Sequence, residues 1–324
     1  MIGLIDCRVR GRMNHWSSVP ADQLEFLDRP LLQHAVEQMV HLGAVECVVI
    51  AENPAPHIER WGTGELWGRS FSVISPSAIT EFLARSEDEV ILVGRGDCIP
   101  VIRGGFEPVS ASCPSRLVFN DRIIDGERKR YFTGWALSNP QELLSHCFAT
   151  HGADGLLESP SSHSFSSRQT VSVCVHSHSP AAFIESQSLA LEELAPELIF
   201  HARQIRPGVW VGRDVSLHSS VQINGRAFLG DNVRVGRNAV LNGHTVIARD
   251  SVVDAGAVLS DVSIQPGTYI GRNVQLSEMV VRPGAFIGAE GSSEARIIDP
   301  RILASSKMTI ADSARALWSV LYGS

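Results

Sequence analysis

Lysine is almost missing from this chain: of its 28 basic residues only Lys129 and Lys307 are lysine, and the rest are arginine. A mechanism that needs lysines at two separate places therefore has almost no candidates. Long apolar runs are missing too. A membrane-spanning helix needs about 20 apolar residues, and the longest stretches, Cys47–Ala51 and Val90–Val93, fall far short. Met1–Met13 interleaves Arg8, Arg10 and Arg12 with apolar residues, so no secretory leader is read there and a soluble, cytoplasmic protein is expected. The six cysteines (Cys7, Cys47, Cys98, Cys113, Cys147, Cys174) form no CxxC pair. That spacing favours reduced thiols over a disulfide framework or a structural zinc site. Excess positive charge is lacking as well: the net charge of -7 gives no global attraction to nucleic acid.

What is present is a repeat. The chain has 324 residues, which against a typical domain of ~100–200 residues suggests two domains. In the second half an aliphatic residue recurs every six positions: Ile205, Val211, Leu217, Ile223, Leu229, Val235, Leu241, Ile247, Val253 and Leu259. Four residues after each stands a small or β-branched residue, from Val209 and Val215 through Ala227, Val233 and Ala239 to Ser263. Two inward positions per hexad, with Gly, Asn or Asp between them, is the pattern of a parallel β-helix. The register then slips by one and resumes at Ile264, Ile270, Leu276, Val281 and Ile287, which predicts a small bulge or a changed corner. The pattern resembles the hexapeptide repeat of the left-handed β-helix families, in which three hexads make one triangular coil; the handedness comes from that resemblance alone.

Residues 1–195 alternate apolar strand-like runs with helical ones: strands at Ile2–Cys7, Val45–Ala51, Phe71–Ile74 and Val90–Val93, and helices at Pro30–Leu42, Ile58–Trp61 and Ile79–Ala84. Such alternation predicts a mostly parallel sheet covered by helices. Ligands in these sheets sit at the carboxyl ends of the strands. Asp97, just past an apolar strand, is placed there to hold a metal or a phosphate, although an aspartate is also an ordinary turn residue.

Several segments in order resemble the sugar-phosphate nucleotidyltransferases, also called NDP-sugar pyrophosphorylases. Arg29-Pro30-Leu31-Leu32 and the residues to Glu37 resemble their "KP-L-L" helix, and Ile58–Gly68 their "G-D-G-S-x-W/F-G" turn. Val90–Asp97 resembles the "FLVLNGD" strand, Phe132–Trp135 stands where they carry "NAG-I/Y", and Ser179-Pro180 opens a helix at Ala181–Leu194 as their "TPE" does. The resemblance implies an α/β fold, in which an N-terminal nucleotidyltransferase-like domain of mostly parallel sheet is joined to a C-terminal left-handed parallel β-helix. It also implies transfer of a nucleotide from a nucleoside triphosphate to a sugar 1-phosphate, with release of pyrophosphate.

The catalytic parts depart from that pattern. In place of the family's glycine-rich "GGxGTRL" cradle the chain has Asp6-Cys7-Arg8-Val9-Arg10-Gly11-Arg12, and the "PKP" lysine falls on Ala21. The first metal-binding aspartate falls on Asp97 and the second on His176. Phosphoryl-type transfer rests on positioning and charge neutralisation, so these losses point to a catalytically inactive relative that binds, regulates or scaffolds in sugar-nucleotide or polysaccharide metabolism. Its expected ligand, a nucleotide, sugar phosphate or nucleotide sugar, would lie near Gly96, Asp97 and Gly134, with Arg8, Arg10 and Arg12 as phosphate forks. Asp97 is the candidate metal ligand, and Mg2+ is called for only if turnover survives. Two enzyme readings stay open. One is an active nucleotidyltransferase that uses the Arg8–Arg12 run, and the other a β-helix acyltransferase with His218 or His244 as general base.

The expected domains are 1–195, the α/β domain; 196–290, the β-helix; and 291–324, a linker and a last helix. That helix would begin near Asp312 or Ser313 with Ala314, Leu317, Trp318, Leu321 and Tyr322 on one face. The β-helix or this helix is expected to assemble a homo-oligomer or dock a partner enzyme.

Overall fold

The computed structural model describes residues 1–8, 23–53, 55–62, 68–103, 105–106, 115–124, 127–145, 148–151, 166–192, 198, 201–289, 295–296 and 301–305. Arg10, Arg12 and the expected last helix lie outside them. Two compact units are formed: Met1–Met13 with Leu31–His176, and Asn14–Pro30 with Ser177–Ser324.

The first unit is built on a seven-stranded sheet. In chain order its elements are β1 (Ile2–Asp6), α1 (Leu31–His41), β2 (Glu46–Ile50), α2 (Ala55–Trp61), β3 (Ser70–Ile74), α3 (Ile79–Arg85), β4 (Ile91–Arg95), β5 (Cys98–Pro100), β6 (Ser115–Ile124), β7 (Glu127–Ser138), α4 (Pro140–Ser145), α5 (Phe148–His151), β8 (Ser166–Val171) and β9 (Cys174–His176). β1 pairs in parallel with β2 and β4, and β2 with β3. β7 runs antiparallel to both β4 and β6, while β8 lies parallel to β6. β5 and β9 form a separate antiparallel ribbon.

Alternation along β1 sorts its side chains. Leu4 joins a buried cluster with Val48, Ile50, Ile79, Leu83, Ile91 and Val93. On the opposite face Gly3 lets α1 approach: a Cβ there would stand 2.7 Å from Met39 Sδ. Gly94 on β4 does the same, because a Cβ would meet Met39 Cε at 2.6 Å and Trp135 Cε2 at 2.7 Å.

Helix α2 carries a pH-sensitive contact. His57 is buried and stacks on Trp61 with ring centroids 5.7 Å apart, and burial pushes its pKa below 6.5. A histidine disfavoured as the cation contributes stability above its unfolded pKa and loses it as the pH falls through the folded one. Urea titrations between about pH 7 and about pH 5 are expected to show a fall in unfolding free energy that His57→Gln flattens.

In the second unit short parallel strands stack in three columns. One column runs Val211, Leu229, Ile247, Ile264, Val281; a second Leu217, Val235, Val253, Ile270; a third Ile223, Leu241, Leu259, Leu276. Leu303 closes the second column in antiparallel pairing. Corner residues lie in the left-handed region in columns of their own: Asp214, Asn232, Asp250 and Gly267; Asn238, Gly256 and Asn273; Gly243, Asp261 and Glu278. Asparagine, aspartate and glycine are the residues that visit this region at least cost, which is why they punctuate the hexads.

The slip in the periodicity has a structural cause. Leu259 and Ile264 stand five positions apart and share one strand, Val258–Ile264, in which Asp261 (φ 54°) makes the corner. The side chain of Asp261 accepts a hydrogen bond from the His244 backbone N–H at 2.9 Å. Ile205 departs from the expected inward position. It lies 47% exposed on Arg203–Arg206, a strand antiparallel to Val209–Val211 that stands outside the parallel columns.

Against the stack lies α6 (Pro180–Leu191), opened by Pro180 with Ser179 Oγ capping the Ala182 N–H at 3.1 Å. The hairpin Glu25–Phe26 and Arg29–Pro30 docks in the same unit. Gln265 accepts from Glu25 N at 3.0 Å and donates to Glu25 O at 3.1 Å, and Arg249 bridges to the Glu25 carboxylate at 2.9 Å. No helix among the described residues is long and apolar enough to cross a membrane.

Candidate functional site

In the first unit β1, β2 and β4 end side by side: Asp6 lies opposite Ile50 on one side and Arg95 on the other. This is the carboxyl end of the parallel strands, where a sheet of this kind receives ligands. The Gly96 N–H closes the edge by donating to Asp6 O at 3.1 Å.

Two aspartate–arginine forks occupy the site. Asp6 Oδ1 accepts from Arg8 N at 3.1 Å and Arg8 Nε at 2.8 Å, and Oδ2 accepts from Arg8 Nη2 at 2.8 Å. Arg8 Nη2 also donates to Phe148 O at 3.1 Å, and its guanidinium lies 5.7 Å from the centroid of the Phe148 ring. In the second fork Arg95 Nε reaches Asp97 Oδ1 at 2.9 Å and Nη2 reaches Oδ2 at 2.7 Å. A bidentate pair of this sort balances both charges and fixes both planes.

Gly134 belongs to the second fork. Its φ is +75°, and a Cβ would stand 2.1 Å from Arg95 Cδ, so the side chain of Arg95 crosses the space that any other residue would fill. The neighbours hold this strand in place. Thr133 Oγ1 donates to Val118 O at 2.9 Å and accepts from Trp135 N at 3.2 Å, while Trp135 Nε1 donates to Cys98 O at 2.5 Å. Gly134→Ala is expected to cost about 1–3 kcal/mol through φ strain and displacement of Arg95, read as a lower denaturation midpoint.

The sequence-predicted residues Gly96, Asp97 and Gly134 therefore come together, joined by Arg95, which the motif reading missed. Its signal was available in Arg95-Gly96-Asp97, where a basic residue closes an apolar strand two positions before the aspartate. Arg8 is near this edge but engaged with Asp6. Of the two guanidiniums Arg95 is the more accessible, with side-chain exposure of 21% against 8% for Arg8. Both oxygens of Asp97 already receive Arg95, so this carboxylate as it stands does not fit a Mg2+ ligand.

Beside Asp97 the β5–β9 ribbon sets Cys98 across from His176. Cys98 Sγ and Cys174 Sγ are 3.1 Å apart. Hydrogen bonding with Cys174 pulls the Cys98 thiol down to about 6 against its burial, and His176 adds to the pull.

The candidate acyl-transfer histidines sit in the second unit. His244 Nε2 lies 3.0 Å from Glu192 and Nδ1 lies 3.5 Å from Asp261, so both ring nitrogens face carboxylates. His218 Nδ1 lies 2.8 Å from Ser220 Oγ within an exposed turn. Several arginines of the stack are likewise engaged, Arg213 with Asp231 and Arg226 with Leu191 O.

No known family model matches the chain, and no curated protein does. Among solved structures, one similar chain is a Bacillus anthracis protein provisionally named a glucose-1-phosphate thymidylyltransferase, crystallised with sucrose. It is 12% identical, with 59% of this chain and 95% of that one covered and a TM-score of 0.45.

Proposed function

We propose that the first unit is a nucleotidyltransferase-like domain that binds a nucleotide, sugar phosphate or nucleotide sugar at the Arg95–Asp97–Gly134 edge without turning it over. The stacked strands of the second unit we read as a left-handed parallel β-helix that assembles an oligomer or docks a partner enzyme. One observation carries the reading of the first unit: the carboxylate that the motif order assigns to a metal, Asp97, is forked by a guanidinium instead. A site balanced in this way has little net charge to stabilise a pentacovalent phosphoryl transition state. The guanidinium that would meet a phosphate there is that of Arg95, 21% exposed, at the cost of its fork with Asp97. Support for the β-helix reading comes from the three columns of parallel partners and their left-handed corner residues.

The test is a matrix of nucleoside triphosphates and sugar 1-phosphates with Mg2+, read both as pyrophosphate release and as thermal stabilisation. Expected is stabilisation by at least one ligand, rising with its concentration as linkage requires, and no pyrophosphate. Release that Asp97→Asn abolishes would replace this reading with an active enzyme. No stabilisation by any member at millimolar concentration would remove the ligand-binding reading.

A further inference from the structure

Cys98, Cys174 and His176 come from segments far apart in the chain, and the pairing of β5 with β9 gathers them. In that antiparallel register Cys98 lies opposite His176 and Pro100 opposite Cys174. Cys174 and His176 are two residues apart on one strand and so share a face. One ligand atom from each of the three lies within 4.8 Å of the others. Both thiols are buried. The backbone carbonyl of Cys98 accepts from the Trp135 indole N–H, which holds this strand of the cluster.

We propose that Cys98, Cys174 and His176 bind one zinc ion through two thiolates and an imidazole, with a fourth position left to water or a ligand oxygen. At Zn–S of about 2.3 Å and Zn–N of about 2.0–2.1 Å, tetrahedral ligand atoms stand about 3.5–4 Å apart. The observed cluster reaches that by opening the 3.1 Å separation of the sulfurs by less than about 1 Å. Two sulfurs and a nitrogen select a borderline or soft cation and reject Mg2+, which demands oxygen ligands. On binding, each protonated thiol releases its proton to solvent and no oxidant is involved.

A second feature points the same way. Asn120 is 2% exposed, its Nδ2 lies 3.4 Å from His176 Nε2, and its Oδ1 has no hydrogen-bond partner among the described residues. Amide oxygen and nitrogen exchange by a half-turn of the side chain. Turned, Oδ1 accepts a hydrogen bond from the His176 Nε2–H, which gives that oxygen a partner and holds the tautomer whose Nδ1 carries no proton and can ligate. An imidazole ligand held through its other nitrogen is the usual outer support of a metal site, and removing it weakens binding by about 10–100-fold. Asn120 is thus a positioning residue.

The scattered cysteines argued against zinc in the sequence because no two are close along the chain; the strand pairing supplies the closeness. The site stands on its ligands, whatever the fate of the nucleotide reading.

The test uses the full chain, reduced, stripped with a chelator and titrated anaerobically with Co2+ and then Zn2+. Expected are a thiolate-to-cobalt charge-transfer band and intense tetrahedral ligand-field bands that saturate at one ion per chain. Zinc should bleach them and Mg2+ should not. Cys98→Ser, Cys174→Ser and His176→Gln are expected to lower affinity by at least about 100-fold, Asn120→Ala by about 10–100-fold, and Cys7→Ser not at all. The wild-type spectrum needs no variant to fold. Absence of the thiolate band would overturn the proposal, as would its persistence in Cys98→Ser or a Cys98–Cys174 disulfide in the chain isolated without reductant.

Discussion

Asp6→Ala is expected to lower the free energy of unfolding by about 3–5 kcal/mol, a loss large enough to unfold a marginal domain. The side chains of Asp6 and Arg8 are 5% and 8% exposed, so the carboxylate and the guanidinium are both withdrawn from water. Removing the carboxylate deletes three acceptances from Arg8 and leaves a buried cation holding the Phe148 carbonyl and the face of its ring. The cost lies in the stranded charge rather than in the pair itself. Asp6→Ala combined with Arg8→Met should therefore recover a large part of the loss, and a double-mutant cycle in urea would show coupling of about 2 kcal/mol or more. The result bears on function. Were Arg8 held ready for a phosphate, Asp6→Ala would cost little stability and would tighten anion binding, and that outcome would return the residue to the ligand-binding set.

Much of the first unit was legible because its signals are local. The helix expected at Pro30–Leu42 spans Leu31–His41, and the strand expected at Val45–Ala51 spans Glu46–Ile50, because aliphatic runs and their flanking turns lie within a few residues of one another. In the second unit Ser179-Pro180 likewise opens its helix through a cap that needs only the next three residues. Asp97 and Gly134 were singled out through the order of motifs, and the fold brings them to one strand edge. What they do together was not, since their juxtaposition depends on Arg95 lying across a glycine that the fold brings over from β7.

Non-local register hides the rest. Cys98 and Cys174 are 76 residues apart, and no spacing rule along the chain connects them. The ribbon that does so is three residues wide on each side, one side following β4 in the chain and the other following β8. The forked arginines were hidden for another reason. An arginine near a strand end reads equally as a phosphate clamp and as a partner for the aspartate two residues away, and the choice is made by burial. At Arg8 burial favours the partner.

Leu259→Asp is expected to be among the most damaging single changes in the chain, and Ile205→Asp among the mildest, although both positions belong to the same six-residue periodicity. Leu259 is fully buried and stands in one column with Ile223, Leu241 and Leu276, pairing directly with Leu241 and Leu276. Truncation to alanine there should cost about 2–5 kcal/mol from lost transfer energy and the cavity left behind. An aspartate adds the desolvation of a polar group with no partner in the column and exceeds that range. Because each strand of a stack depends on its neighbours, the damage spreads along the column instead of staying at one step. Ile205 is about half exposed on a strand antiparallel to the stack, so a carboxylate there keeps its water and should change stability by no more than about 0.5 kcal/mol. Chemical denaturation of the two variants separates the readings. Equal losses would mean that the periodicity alone decides which residues face inward, whereas a loss confined to Leu259 means that pairing direction decides it, with the parallel columns beginning at Val211.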